Sequence, residues 1–317
     1  MPAPRPGDHG GKEPVREVTV MDLGKVGVWH PLFTRESAGE VRRAAAEIER
    51  LGYGTLWYPE APGGRESLSA GAIVLAATER VNVASGIASI WARDAMAAAA
   101  GAAALGEAYG GRFVLGLGVS HKPAVQMRGH DYTRPVAAMS AYLDAMREIP
   151  PVAAPERPVP VLLAALRPRM LELAREKADG VHSYFVPPEH TDLARKTLGP
   201  GPVLAPEQAV VLETDPARAR AIARTHTRVY LQLPNYVNNL LHLGFSQDDV
   251  AGEGSDRLVD AIVAWGDADA IATRVRDHLD AGADHVSLQP LPSGVDESLA
   301  LLRDLAPVLG PLLTSEG

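Results

Sequence analysis

Ser120 and His121 stand directly behind an apolar, glycine-spaced stretch, Phe113-Val114-Leu115-Gly116-Leu117-Gly118, which a glycine pair, Gly110-Gly111, separates from the residues before it. A helix that stops at paired glycines, a buried strand and a polar tip together describe one unit of a parallel α/β protein. In a barrel of such units the residues just past each strand's C-terminal end line the active site. An imidazole at such a tip can take up or release a proton near neutral pH. Glu60 holds an equivalent place after Thr55–Tyr58, where a carboxylate behind a buried strand needs a partner or water. Other tips supply Trp29 and His30, Ser85 and Gly86, Tyr184, and Gln289. This mixture of aromatic, amide and acid/base groups suits a pocket for a large planar, polar molecule.

The elements that position these tips recur about eight times. Strands are predicted over 23–29, 55–58, 81–85, 113–118, 159–164, 180–183, 208–212 and 285–288. Helices are predicted over 37–51, 67–79, 95–109, 135–148, 269–281 and 297–309, and another begins at Arg167-Pro168, with proline where a first turn tolerates it. Val41, Ala44, Ile48 and Leu51 keep helical spacing, and Gly52 ends that helix. The fold expected is a (β/α)8 TIM barrel with a helical insertion after strand seven. That insertion, 216–263, is too long for an ordinary connection. Its Tyr230, Tyr236, Asn238 and Asn239 are expected to shape a substrate pocket, and core packing accounts for the tyrosines equally well. Residues 22–317 read as one domain behind a flexible N-terminal tail, 1–21. The Ala/Gly-rich helix 95–109 is a candidate homodimer contact.

Composition narrows the chemistry. A net charge of −8 over 317 residues argues against nucleic acid and anionic membrane, which need a basic face. The absence of cysteine removes thiolate catalysis, cysteine-ligated clusters and disulfides. No apolar run approaches the ~20 residues of a membrane span, no signal peptide is visible, and a cytoplasmic enzyme is expected. Gly116-x-Gly118 is not a dinucleotide fingerprint, because His121 stands where a third glycine belongs and no helix opens there. Ser120 lacks the flanking glycines of a hydrolase elbow. No histidine pair has zinc spacing, and Asp267 and Asp269 read as helix-capping residues, so no metal is expected.

Several segments together resemble the bacterial luciferase-like superfamily, in its branch of coenzyme F420-dependent oxidoreductases. They are Gly27-Val28-Trp29, Leu51-Gly52-Tyr53, Val83–Ile87, Gly111–Gly118, Ala178–Val181, Phe185–His190 and Ala281–Val286, with Leu233–Tyr236 in the insertion. The resemblance runs from about Leu23 to Leu309. It implies hydride transfer between the deazaflavin and a small organic substrate. It also implies a cofactor site built from Ser85, Gly86 and Ile87, from Val119 and Ser120, and from Ala164, Ala165, Leu166 and Arg167. Gly86-Ile87 matches a bulge that carries a non-prolyl cis peptide in such enzymes. Ala164–Arg167 matches the segment that receives the cofactor phosphate, where relatives often carry glycines. His121 and Glu60 match catalytic tips, Glu60 standing where relatives place an Asp-His pair. Trp29, His30, Tyr184 and Gln289 would line the substrate pocket. Three other readings stay open: an FMN-dependent monooxygenase with a partner reductase, a non-catalytic flavin-binding barrel, and a metal-free sugar-phosphate isomerase.

Overall fold

A computed structural model describes residues 22–313 apart from 149, 154 and 293, so the expected tail 1–21 lies outside the described residues. The first half runs β1 (Val26–Trp29), α1 (Leu32–Arg35), α2 (Ala38–Arg50), β2 (Thr55–Tyr58), α3 (Ser67–Leu75), β3 (Asn82–Ser85), β4 (Ala88–Ser89), α4 (Ala95–Ala108) and β5 (Phe113–Gly118). It continues with α5 (Lys122–Met127), α6 (Pro135–Glu148), β6 (Val161–Ala164), α7 (Pro168–Lys177), β7 (Gly180–His182), α8 (Pro188–Leu198), β8 (Val203–Leu204) and β9 (Glu207–Leu212). The last part holds α9 (Pro216–Tyr230), α10 (Pro234–His242), α11 (Asp256–Ile262), β10 (Val263–Gly266), α12 (Ala268–Asp280), β11 (Val286–Pro290) and α13 (Val295–Leu313).

β1, β2 and β5 are buried at every position, which a strand allows only when both sheet faces are covered. All pairings are parallel, in the order β10-β9-β11-β1-β2-β3-β5-β6-β7-β8, with β4 beside β5. The sheet curls. Residues 203–207 bond to β7 on one side (Ala205 N–H to Val181 O, 2.8 Å; Glu207 N–H to Ser183 O, 2.8 Å) and to the β11 region on the other (Ser287 N–H to Pro206 O, 2.9 Å). The result is a TIM-barrel-like α/β fold with every strand's C-terminal end on one face.

Local chemistry explains the joints. Ser37, Asp94 and Asp267 cap α2, α4 and α12 by accepting the N–H groups of Glu40, Ala97 and Ala270, so Asp267 is the helix cap its position predicts. Arg112 follows the Gly110-Gly111 turn and donates to Leu75 O, Thr78 O, Thr78 Oγ1 and Val81 O. It thereby ties the end of α3 to the start of β3 and β5. Within α4, a Cβ on Gly101 would fall 2.3 Å from Leu68 Cδ1 and one on Gly106 2.6 Å from Val159 Cγ2. Both glycines of this helix serve close packing inside the chain.

The structure departs from the sequence reading around 216–263. Three helices do follow β9, but they lead into a further strand, β10, paired with β9 from Val263↔Ala209 to Gly266↔Leu212. Val-Ala-Trp-Gly is too short to show a period of its own and reads as the tail of α11. The short α1 and α5 escape periodicity for the same reason, and the 11-residue α8 adds a helix that the sequence reading did not include.

Candidate active site

A cavity of about 1110 Å³ opens at the C-terminal ends of the strands. Trp29, Gly86 and Ile87 line one part of it, and Val119, Ser120 and His121 form a wall. Ala164, Ala165, Leu166 and Arg167 border one end, Tyr184 and Gln289 another side, and Glu60 reaches it from β2. Two of the strand-tip candidates are not brought there, nor are Asn238 and Asn239 of the insertion. His30 is fully buried, accepting Leu32 N–H at Nδ1 (3.0 Å) and lying 2.8 Å from Ser298 Oγ through Nε2. Burial pushes its pKa down to about 3, as befits a neutral structural imidazole. Ser85 lies beneath the cavity, its hydroxyl donating to Gly116 O and accepting Gly116 N–H, both at 2.9 Å.

That serine clamp explains the glycine spacing of β5. A Cβ on Gly116 would lie 1.9 Å from Ser85 O, and one on Gly118 2.6 Å from Ile87 Cγ2. The two glycines let the break between β3 and β4 seat on β5. The bulge at Gly86-Ile87 is therefore present, but the cis peptide implied for it is not. Among the described residues the cis bond is Leu291-Pro292. Gly86 donates its N–H to Tyr58 O (2.7 Å) and accepts Trp29 Nε1–H at its carbonyl (2.8 Å), so a trans backbone already satisfies both groups.

His121 sits where β5 turns into α5, behind Ser120 in the left-handed region (φ 58°). Its Nδ1 lies 3.0 Å from Asn235 Oδ1, and Tyr236 packs on the ring at 5.5 Å. An amide oxygen only accepts, so Nδ1 carries the proton and Nε2 keeps a lone pair. Burial lowers the pKa below its usual value, opposed by the Asn235 bond. Tyr236 was expected from the sequence to shape a pocket, whereas Asn235 was not singled out as a partner of His121.

Glu60 is otherwise engaged. One carboxylate oxygen pairs with Arg93 Nη2, and the other accepts Ser89 N–H at 2.7 Å. Arg93 also reaches Glu66, 2.8 Å away. The side chains of Arg93 and Glu60 are 10% and 4% exposed. These contacts tie Glu60 to β4 and to Arg93. Arg93→Met leaves a buried carboxylate unpaired and is expected to destabilise the fold by about 3–5 kcal/mol, with Glu60→Gln in the same chain recovering part of the loss. Urea denaturation of the single and double variants measures both. An unchanged midpoint for Arg93→Met would show that water screens the pair.

At the end bordered by β6, Arg167 precedes α7 as its N-cap with no side-chain cap, and Pro168 opens the helix. Arg134 and Arg169 line the same cavity, as does Tyr132, whose phenol burial pushes up and Arg167 pulls down. Three guanidinium groups and a helix N-terminus make this end anion-attracting. The sequence pointed to Arg167 alone, because Arg134 lies in an irregular loop far away in the chain.

Across the cavity, the Tyr184 hydroxyl lies 2.7 Å from both Tyr230 Oη and Gln289 Oε1, with its ring 5.0 Å from Trp29. Thr225, His226, Val229 and Tyr230 of α9 line the cavity, and so does Tyr236 of α10. Asn239 is instead buried, 1% exposed, with both amide atoms unpartnered. Behind this wall Glu207 is buried, accepts Phe185 N–H at 3.2 Å, and is pushed up by burial to about 8. It is protonated at neutral pH.

Known proteins share the family and the fold. A curated relative named 5,10-methylenetetrahydromethanopterin reductase, from Methanolobus tindarius, is 24% identical over 179 residues. That match takes in 51% of this chain and 55% of the relative, so the chain spans about half the length of the curated relative it matches. A solved F420-dependent secondary alcohol dehydrogenase, in complex with an F420-acetone adduct, superposes with a TM-score of 0.73 at 14% identity, over 90% of this chain and 99% of that one. The oxygenating constituent of 3,6-diketocamphane monooxygenase from Pseudomonas putida, with FMN, gives 0.69 at 13% identity over 92% and 97%. At such identities the superpositions establish the shared fold. The profile of the luciferase-like monooxygenase family matches residues 17–285, and the chain belongs to that family.

Proposed function

We propose that this chain is a coenzyme F420-dependent oxidoreductase that moves a hydride between the deazaflavin and a small organic substrate. The observation that carries the reading is the neutral imidazole of His121, its Nε2 lone pair on the cavity wall and its Nδ1 fixed by Asn235. The residues present fit a flat, phosphorylated cofactor. Gly86 leaves room that a Cβ would fill, 3.0 Å from Trp29 Nε1, and Arg134, Arg167 and Arg169 provide for an anion. A bound deazaflavin supplies a ring carbon that exchanges a hydride with the substrate. The chain's own part is to hold ring and substrate face to face, to exclude water with the α9–α10 wall, and to take up or return a proton at His121 Nε2. The printed name of the F420-dependent alcohol dehydrogenase neighbour supports F420 as the cofactor. The FMN-bound neighbour keeps the monooxygenase reading as the second.

Fluorescence titration of the purified chain with F420 and with FMN decides between them. Tighter binding of F420 is expected. Tight FMN binding with none of F420 would move the protein to the monooxygenase reading, and flavin binding without turnover to a non-catalytic barrel. Arg167→Ala is expected to weaken the phosphorylated deazaflavin roughly 10-fold and to leave the phosphate-free riboside nearly unchanged. Equal weakening of both would place Arg167 with the fold or the ring.

A further inference from the structure

His182, at the end of β7, carries a polar atom that has no hydrogen-bond partner among the described residues. The side chain is 1% exposed, and its ring lies flat against Trp57, with centroids 4.4 Å apart and 10° between planes. Nδ1 is 2.8 Å from Ala205 O. A carbonyl only accepts, so Nδ1 holds the proton and Nε2 is left as a bare acceptor. Nε2 is buried and has no partner. Burial holds the ring's pKa near 3, so it stays neutral at physiological pH. A buried acceptor left unpaired is expensive and rare in folded proteins.

This acceptor belongs to the cavity. His182 lines it, and its Nε2 would lie 3.3 Å from a Cβ on Gly86, so the glycine keeps the approach open. The nearby donor Trp29 Nε1–H is already bound to Gly86 O. The surroundings are flat and apolar: Trp57 beneath the imidazole and Trp29 beside Gly86. The edge of a fused ring fits such a slot better than a flexible polyol, which would lose water from several hydroxyls to make one bond.

We propose that His182 Nε2 recognises the cofactor by accepting a hydrogen bond from the pyrimidine N3–H that deazaflavins and flavins share. The inference rests on the cofactor reading above, and a hydroxyl of the substrate is the competing source of the donor. His182→Asn keeps an N–H for Ala205 O in place of Nδ1 but has nothing at the Nε2 position. His182→Gln can put an amide oxygen there. Both variants lose the stacking on Trp57, so they control for each other.

The test titrates wild type and both variants, without substrate, with F420, with FMN, and with the N3-methyl form of whichever cofactor the wild type binds. His182→Asn is expected to weaken the normal cofactor roughly 10- to 100-fold, and His182→Gln by only a few-fold. The N3-methyl form should bind wild type as weakly as the normal cofactor binds His182→Asn, with no comparable further loss in that variant. The wild-type comparison needs no mutation and stands even if a variant fails to fold. Equal affinity of wild type for the normal and N3-methyl cofactors would overturn the inference and leave the cofactor reading intact. Unchanged cofactor binding by His182→Asn would overturn it in favour of a substrate hydroxyl. Binding of neither cofactor by wild type would overturn both.

Discussion

Acidification is expected to unfold this protein between about pH 6 and pH 4, a loss that begins above the range in which carboxylates titrate. Burial lowers the pKa of His30, His182, His226 and His278 to about 3 and of His190 and His285 to about 4. In the unfolded chain each imidazole titrates near its usual ~6.5. Below that value the unfolded state binds more protons, and each histidine removes about 1.4 kcal/mol of stability per pH unit until its folded pKa is reached. Glu207 works the other way, since its folded pKa of about 8 lies above the unfolded value and the native state takes up the proton first. Six groups against one leave a loss of roughly 7 kcal/mol per pH unit, against a typical total stability of ~5–15 kcal/mol.

At two of these rings a fixed donor adds to the effect of burial. Nδ1 of His30 faces the Leu32 N–H, and Nε2 of His285 faces the Trp57 Nε1–H at 3.0 Å. Neither donor can turn into an acceptor, so a proton added to either nitrogen meets another proton. Urea midpoints measured by circular dichroism in half-unit steps from pH 8 to pH 4 test this. A midpoint that holds steady down to pH 4 would show that these imidazoles ionise without opening the fold.

Much of the site was readable because strand and tip follow one another in sequence. His121, Ser120, Gly86 and Ile87 reach the cavity for that reason, as do Trp29, Tyr184 and Gln289. His30 shares that position and does not reach it. One residue beyond Trp29 the chain turns into α1, and the ring is drawn to Ser298 at the other end of the sequence, a partner no local pattern could reveal. Glu60 was legible as a carboxylate in need of a partner but not as one already paired, because Arg93 arrives from beyond β4. The resemblance implied Ser85 as a cofactor contact, and the structure places its hydroxyl on β5 beneath the bulge, where Gly116 and Gly118 leave room for close packing. His182 stayed hidden in a three-residue strand, Gly180–His182, whose buried histidine is indistinguishable from a core residue until its unpaired nitrogen is seen. A resemblance implied the cis peptide at Gly86, and among the described residues the cis bond is Leu291-Pro292 instead.

His121→Ala is expected to lower turnover with an accepted substrate by about 10²–10⁴-fold, while cofactor affinity changes far less. The geometry assigns the direction of proton flow. With Nδ1–H held on Asn235, the nitrogen left toward the cavity is an acceptor, and burial keeps it unprotonated at neutral pH. In the proposed reaction His121 would take a proton when substrate is oxidised and hand it back when substrate is reduced. Oxidation needs the neutral ring, so its rate is present above the lowered pKa and is lost as pH falls through it, below about 6.5. Acid unfolding overlaps that range, so the decisive variant is one that moves the limb away from it. Asn235→Asp places a carboxylate where an amide oxygen now accepts at 3.0 Å, which favours the imidazolium and raises the pKa. The acid limb of the oxidation rate should then shift upward into the range where the fold is stable, and reduction should hold its rate to higher pH. If the limb stays in place in Asn235→Asp while His121→Ala still turns over at the wild-type rate, His121 is a wall of the cavity and the proton is carried by another group.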